Sequence, residues 1–369
     1  MSIISHLEQI EDPRTDINVK HDLIDVMFLT LSAVLSGADG WKSIQEFGEM
    51  QLDWLRLHRR FDNGIPRRHC IANIIKALDT EALIKALIDW INSRREASNK
   101  PHIAIDGKVL RGSWSGSVQR ALNVVSAYDV EYGLALYQQS SDSKGKEGQI
   151  ARDIIDMLAL KDSIVTLDAL HCQRDTLDLI RQRKCDFIVQ VKANQGKLHK
   201  AVKAHFEAHY EDMQASEENE GINAGHGREE SRITMQLPIT LSNELREKWP
   251  HVKTVIEVAR GRKTKNDTSY TSHFYVSSLD MASELVARAI RDHWHIENRL
   301  HWVLDVVFRE DEMKVSDPDG ATHMALFNRV CLNIIRQHQG KKDSMAAKRR
   351  GAACNGEFRS ELLLSLIHI

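Results

Sequence analysis

His102-Ile-Ala-Ile-Asp106-Gly-Lys108 and Ser163-Ile-Val-Thr-Leu-Asp168-Ala169 decide the fold. Each is a short apolar run rich in β-branched residues that ends in an aspartate and a small residue, the composition of a buried strand. Between them, Leu122 to Tyr128 and Leu134 to Tyr137 read as two more strands, with Gly133 suited to a hairpin turn, and Ile150 to Leu158 as an amphipathic helix. Beyond them, Thr176 to Arg183 reads as helix and Asp186 to Lys192 as strand. Strands first in a hairpin and then alternating with helices predict an α/β sheet of mixed strand direction.

The texture changes on both sides of this block. Residues 20–95 read as helical: Leu23, Val26, Met27, Leu31, Val34 and Leu35 recur at helical spacing, Gly37, Asp39 and Gly40 stop the pattern, and Trp41 restarts it. Asn63-Gly-Ile-Pro66 marks a second break before a helical run from Ile71 to Trp90. From about 194 to 285 a helix, an acidic stretch from Glu217 to Gly227 and strand-like pieces (Ser231 to Leu237, Thr254 to Ala259, Ser272 to Val276) predict a β-rich insertion. Met281 to Phe308 is helical again.

Composition bounds the function. The 369 residues carry 50 Lys and Arg against 52 Asp and Glu, a net charge of −2, and 42% are apolar, which describes a soluble chain of about two domains. The longest uncharged apolar stretch, Val26 to Ala38, falls short of the roughly 18 residues a membrane span needs, so no membrane association is expected. Met1 is followed by polar and acidic residues, not by a basic and then apolar leader. The five cysteines lack CxxC spacing, which argues against a disulfide framework or zinc cage and suits a reducing cytoplasm. Near-zero net charge leans against a uniformly basic nucleic-acid binder.

Candidate chemistry lies where carboxylates sit in unusual places. Asp106 and Asp168 both end apolar strands. An acid there either caps a following turn or faces the crevice where open α/β sheets bind ligands, and two on consecutive core strands favour the crevice. A third candidate comes from His293-Trp-His-Ile-Glu297-Asn-Arg-Leu-His-Trp-Val-Leu-Asp305. On a helix, Ile296, Leu300, Val303 and Val307 make one apolar stripe and Glu297, His301 and Asp305 a separate polar line. That line is either a solvated face or the wall of a crevice, and the tryptophans at 294 and 302 favour the crevice. Eighteen histidines is a high count, but HExxH spacing is absent, and His293 and His295 are two apart, poor geometry for one metal ion. Cys172 reads as a small core residue.

Together these blocks, with Asp186-Phe-Ile-Val-Gln-Val-Lys-Ala-Asn-Gln195, Gly225-His-Gly-Arg-Glu-Glu-Ser-Arg232, Tyr275-Val-Ser-Ser278, Glu11-Asp-Pro-Arg14 and Gly37-Ala-Asp-Gly-Trp41, resemble the H-repeat-associated transposases, bacterial insertion-sequence proteins with a DDE domain. The resemblance runs from about residue 7 to 335. It implies a ribonuclease-H-like core with a β-rich insertion, preceded by a helical N-terminal domain, with Asp106, Asp168 and Glu297 as catalytic acids and metal ligands and Asp305 in reserve. The implied organisation is a helical domain over 1–98 that reads DNA ends, a catalytic domain over 99–340, and a basic tail over 341–369. The Arg and Lys that many related transposases place four residues before and seven after the third acid are His293 and Leu304 here, so those phosphate-positioning roles do not carry over.

Converging carboxylates repel one another and DNA phosphate unless cations neutralise them. Mg²⁺, with Mn²⁺ as a substitute, prefers hard oxygen ligands, and two such ions suit in-line displacement at phosphorus. The activity implied is DNA strand cleavage and strand transfer at element ends, on double-stranded DNA, by a homodimer. The alternatives are a metal-dependent nuclease of the same fold and a decayed relative that only binds DNA. Phosphate contacts must come from local clusters: Lys108 and Arg111 after the first acid, Lys192, Arg228 and Arg232, the run Arg260-Gly-Arg-Lys263, and Lys341 to Arg350. The near-neutral balance then predicts that basic residues gather on one face around an acidic crevice.

Overall fold

A computed structural model describes residues 3–15, 19–93, 101–110, 122–141, 147–158, 160–209, 228–264, 268–315, 317–340 and 342–364. Its eight strands are β1 (His102–Leu110), β2 (Leu122–Asp129), β3 (Leu134–Ser141), β4 (Ile164–Leu167), β5 (Asp186–Val191), β6 (Arg228–Pro238), β7 (Thr254–Thr264) and β8 (Thr268–Ser277). The chain folds as two compact units, one of residues 1–98, 107–144 and 297–369, the other of residues 99–106 and 145–296.

The first unit is mainly helical, with the antiparallel β2–β3 hairpin beside the second half of β1. Leu23–Leu35 is buried around almost its whole circumference, as its apolar run dictates, and Asp22 caps it by accepting from the Asp25 amide. Gly37, in the left-handed region at φ +110°, stands at the end of that helix. The long helix Pro318–Gln337 packs against Leu23–Leu35 and β3. Gly133 turns the hairpin at φ +68°, and a side chain there would meet Arg336, which donates to the Gly133 carbonyl and to the Tyr128 hydroxyl.

Within the segment read as a basic tail, the chain forms two helices, Met345–Cys354 and Gly356–Leu364. Lys348 and Arg349 are buried: Lys348 donates to the Ile335 and His338 carbonyls, Arg349 to those of Val34 and Val307. A charge run that reads as solvated in sequence is thus partly structural. Among the described residues no helix is long and apolar enough to cross a membrane.

The second unit is α/β, with strands in the order β1-β4-β5-β8-β7-β6. β1, β4 and β5 run parallel; β8, β7 and β6 continue the sheet antiparallel. All four residues of β4 are buried, which fits a β-branched run covered on both faces. The helix Ser283–His293 lays Val286, Ala289 and Ile290 on Ile164, Ile188, Ile256 and Val258. Truncating one such isoleucine to alanine costs about 2–5 kcal/mol. The segment read as an insertion therefore extends the sheet of its own unit, joined to β5 through β8.

Candidate functional site

Register places the first two acids. β1 and β4 pair in parallel with Ile105 beside Leu167, so Asp106 and Asp168 are the next residues on neighbouring strands, about 4.8 Å apart in strand spacing and on one face of the sheet. Asp106 is half-buried. Asp168, its side chain 38% exposed, also caps the turn Ala169–His171, its Oδ1 accepting from the Leu170 amide at 2.9 Å. Asp168 thus caps a turn and stands at the carboxyl edge of the sheet. Beside it, His171 is fully buried with Nε2 4.0 Å from Asp168 Oδ1. Burial holds its imidazole below the usual range, against the pull of the Asp168 charge. Burial also pushes the Cys172 thiol up to about 12, as a small core residue requires.

Beneath the acids, on the same face, Thr166 Oγ1 lies 2.8 Å from both His102 Nε2 and His293 Nδ1. Burial, followed by the charges of His293, His295 and Arg288, lowers the His102 pKa to about 3, so its ring is neutral. Sequence reading passed over this triad. Its signal was a polar residue at a core-facing position of each strand, His102 two alternations before Asp106 and Thr166 one before Asp168.

The helix expected to carry the third acid is interrupted. Ser283–His293 is α-helical, Trp294 caps it, Ile296–His301 forms a π turn, and Trp302–Val306 is a short α-helix. A π turn inserts an extra residue, so the spacing of Glu297, His301 and Asp305 does not make one polar line. Glu297 is exposed, His301 is only 2% exposed, and Asp305 is half-buried. His301 Nδ1 and Glu297 Oε2 are 3.0 Å apart. Asp305 adds its charge to the surroundings of the buried Arg329, which pairs with Glu310. The apolar stripe holds at Ile296, Leu300 and Val303, all buried, while Val307 is half-buried. Trp294 and Trp302 are about half exposed, and Arg260 lies over the Trp294 ring at 5.6 Å.

The predicted cations divide. Arg111 lies outside the described residues, as do the side chains of Lys108 on β1 and Arg228 on β6. Lys192 is exposed just after β5. Arg232 on β6 stands directly across from Arg260 on β7, which faces Thr271 on β8. Burial, and then the charges of Arg260, Lys192 and Arg232, hold His273 below its usual pKa, which puts all three cations within electrostatic reach of one imidazole. Register assigns them a side: Gln190 is beside Tyr275, and Leu167 beside Val189, so Asp168, Gln190 and His273 share a face with Arg260 and Arg232. Within this unit the sheet face that carries Asp106 and Asp168 also carries Arg232 and Arg260, with Glu230 and Arg262 paired beyond them. Glu217 to Glu220 lie outside the described residues.

The model of the Transposase DDE domain matches residues 97–334, and that of the DDE_Tnp_1-associated domain residues 4–91. The chain is 34% identical over 99% of its length to YncI of Escherichia coli O157:H7, named as a candidate transposase, and covers 95% of it. It is 33% identical to the H repeat-associated YhhI of Escherichia coli strain K12, over 98% of this chain and 97% of that one. Among solved structures, it is similar to a piggyBac transposase in a synaptic complex with hairpin DNA, at 10% identity and TM-score 0.49 over 100% of this chain and 79% of that one, a likeness too slight to bear on the fold. Matching most of its length and the opening associated domain, the chain belongs to the DDE transposase family, among the H-repeat-associated transposases.

Proposed function

We propose that this chain cleaves DNA strands at the ends of an insertion sequence and joins them to target DNA, on a ribonuclease-H-like core, with Asp106, Asp168 and Glu297 as the catalytic acids. The observation that carries the reading is the placement of Asp106 and Asp168 as neighbours at the carboxyl ends of two parallel strands, on the face that also bears Lys192, Arg232 and Arg260. The donor set fits Mg²⁺ or Mn²⁺, because the carboxylates are hard oxygen ligands. Two bound ions would supply activation of the attacking oxygen and stabilisation of the leaving one.

The chain's own residues do the rest. Asp168 is held in place by its bond to the Leu170 amide, and Glu297 is steadied by His301. Lys192, Arg232 and Arg260 take the DNA phosphates at the margin of that face, with one phosphorus brought to the acids. Water attacks that phosphorus in line and the bond to the 3′-oxygen breaks; the 3′-hydroxyl so released then attacks a target phosphate and displaces its own 3′-oxygen. No covalent bond to protein forms in this scheme. Joining two element ends in one event calls for two copies of the chain on DNA, and such chemistry belongs in the cytoplasm of a bacterial cell.

Incubating the protein in single turnover with Mg²⁺ and labelled element-end DNA separates this reading from its neighbours. Strand-transfer products are expected. Cleavage without joining would identify a nuclease, and binding without either a decayed relative.

A further inference from the structure

The three segments that lead to the proposed acids meet at one hydroxyl. Thr166 Oγ1 on β4 lies 2.8 Å from His102 Nε2 on β1 and 2.8 Å from His293 Nδ1 at the end of the helix Ser283–His293. His102 and Thr166 are buried and His293 is half-buried. All three belong to one unit. From these groups the chain runs to Asp106 by two strand alternations and to Asp168 by one.

A hydroxyl has one proton. Thr166 can therefore donate to only one of the imidazoles, and the other ring must donate its N–H to Oγ1, so the bridge fixes at each ring whether the bonded nitrogen donates or accepts. Buried polar groups in such a chain are costly when one partner is lost, about 1–3 kcal/mol for each group left unsatisfied, which makes the bridge a rigid stop instead of a loose contact. Apolar packing already presses the helix on β4 through Ile164, Val286, Ala289 and Ile290, but such packing tolerates sliding that a three-centre hydrogen bond does not.

We infer that His102, Thr166 and His293 are positioning residues that lock β1, β4 and the helix Ser283–His293 in the register Asp106 and Asp168 need to share metal ions. The inference rests on the metal-site reading of Asp106, Asp168 and Glu297. Outer partners bonded directly to ligands are worth about 10–100-fold in metal affinity, and the lower end of that range is the scale for residues that act through the strands.

The test is Mn²⁺ binding to the full chain without DNA, followed by electron paramagnetic resonance of the free ion, alongside thermal melting of the metal-free protein. Thr166→Val removes the hydroxyl and keeps the volume; Thr166→Ser keeps the hydroxyl. About tenfold weaker Mn²⁺ binding in Thr166→Val, restored in Thr166→Ser, is expected. Thr166→Val that melts lower but binds Mn²⁺ like wild type assigns the bridge to stability alone and overturns the inference, as does Thr166→Ser that binds as weakly as Thr166→Val. Should Thr166→Val fail to fold, His293→Ala removes the helix arm while leaving the His102 to Thr166 bond, and the same loss of Mn²⁺ affinity is required of it. A wild-type chain that takes up no Mn²⁺ overturns the metal-site reading itself, and shows this before any substitution is made.

Discussion

In the unit of residues 1–98, 107–144 and 297–369, arginines are buried against the protein's own oxygens: Arg329 meets Glu310 at 2.6 Å, Arg349 and Arg359 donate to backbone carbonyls, and Arg336 closes the β2–β3 turn. In the unit of residues 99–106 and 145–296, Arg232 and Arg260 face each other across two strands, and Asp106 and Asp168 sit side by side at the ends of two others. Like charges set opposite one another on a sheet are destabilising by a few tenths of a kcal/mol or more. Cations at the carboxylates and phosphates at the arginines would each relieve such repulsion. A net charge of −2 is an average over different settings: among the described residues Arg329, Lys348, Arg349 and Arg359 are buried in helices, while Arg232 and Arg260 lie together on one sheet face.

The sharpest break between the units should appear in stability. Glu310→Ala strands the fully buried Arg329 and is expected to cost about 3–5 kcal/mol in chemical denaturation. A loss under 1 kcal/mol would mean that arginine in this unit is not held by its partner. Next in size is acid sensitivity. His102 is neutral in the fold to about pH 3, whereas an unfolded histidine takes a proton near pH 6.5, so the unfolded chain binds the extra proton between those values and stability falls as pH drops. Between pH 7 and pH 5 the loss from this group reaches about 2 kcal/mol, and His102→Asn should shrink the pH dependence by that amount in paired urea titrations.

For the cationic face the readout is salt. Arg232→Ala and Arg260→Ala should each lower the slope of log affinity for duplex DNA against log salt by about 0.9, while Lys348→Ala, whose ammonium is bonded to carbonyls, should leave it unchanged. Equal slopes for all three would erase the distinction between the units. The smallest effect is expected where charge is paired at the surface: Lys42→Ala, which breaks the exposed pair with Glu46, should move stability by no more than about 0.5 kcal/mol in the same titration.

Much of this was legible in sequence because it is local. The apolar run that ends in Asp106, the parallel one that ends in Asp168, the hairpin glycine at 133 and the helical spacing from Leu23 to Leu35 each carry their own signal, and the structure has a strand, strand, turn and helix at those places. Other features depend on residues far apart. Thr166 reaches His102 and His293 across 64 and 127 positions, a meeting that no spacing rule anticipates. The π turn at Ile296–His301 was hidden because Ile296 and Leu300 keep helical spacing whether or not the turn widens. The burial of Lys348 and Arg349 was hidden because a basic run looks the same whether water or carbonyl oxygens receive its protons.

The central claim is that Asp106 and Asp168 form the core of a catalytic metal site. Its most direct test is Mg²⁺-dependent nicking of labelled element-end DNA by wild type, Asp106→Asn and Asp168→Asn, with each variant first shown to fold and to bind the DNA. The account predicts strand cleavage by wild type and none by either variant at equal DNA occupancy. Cleavage at the wild-type rate by either asparagine variant would contradict it.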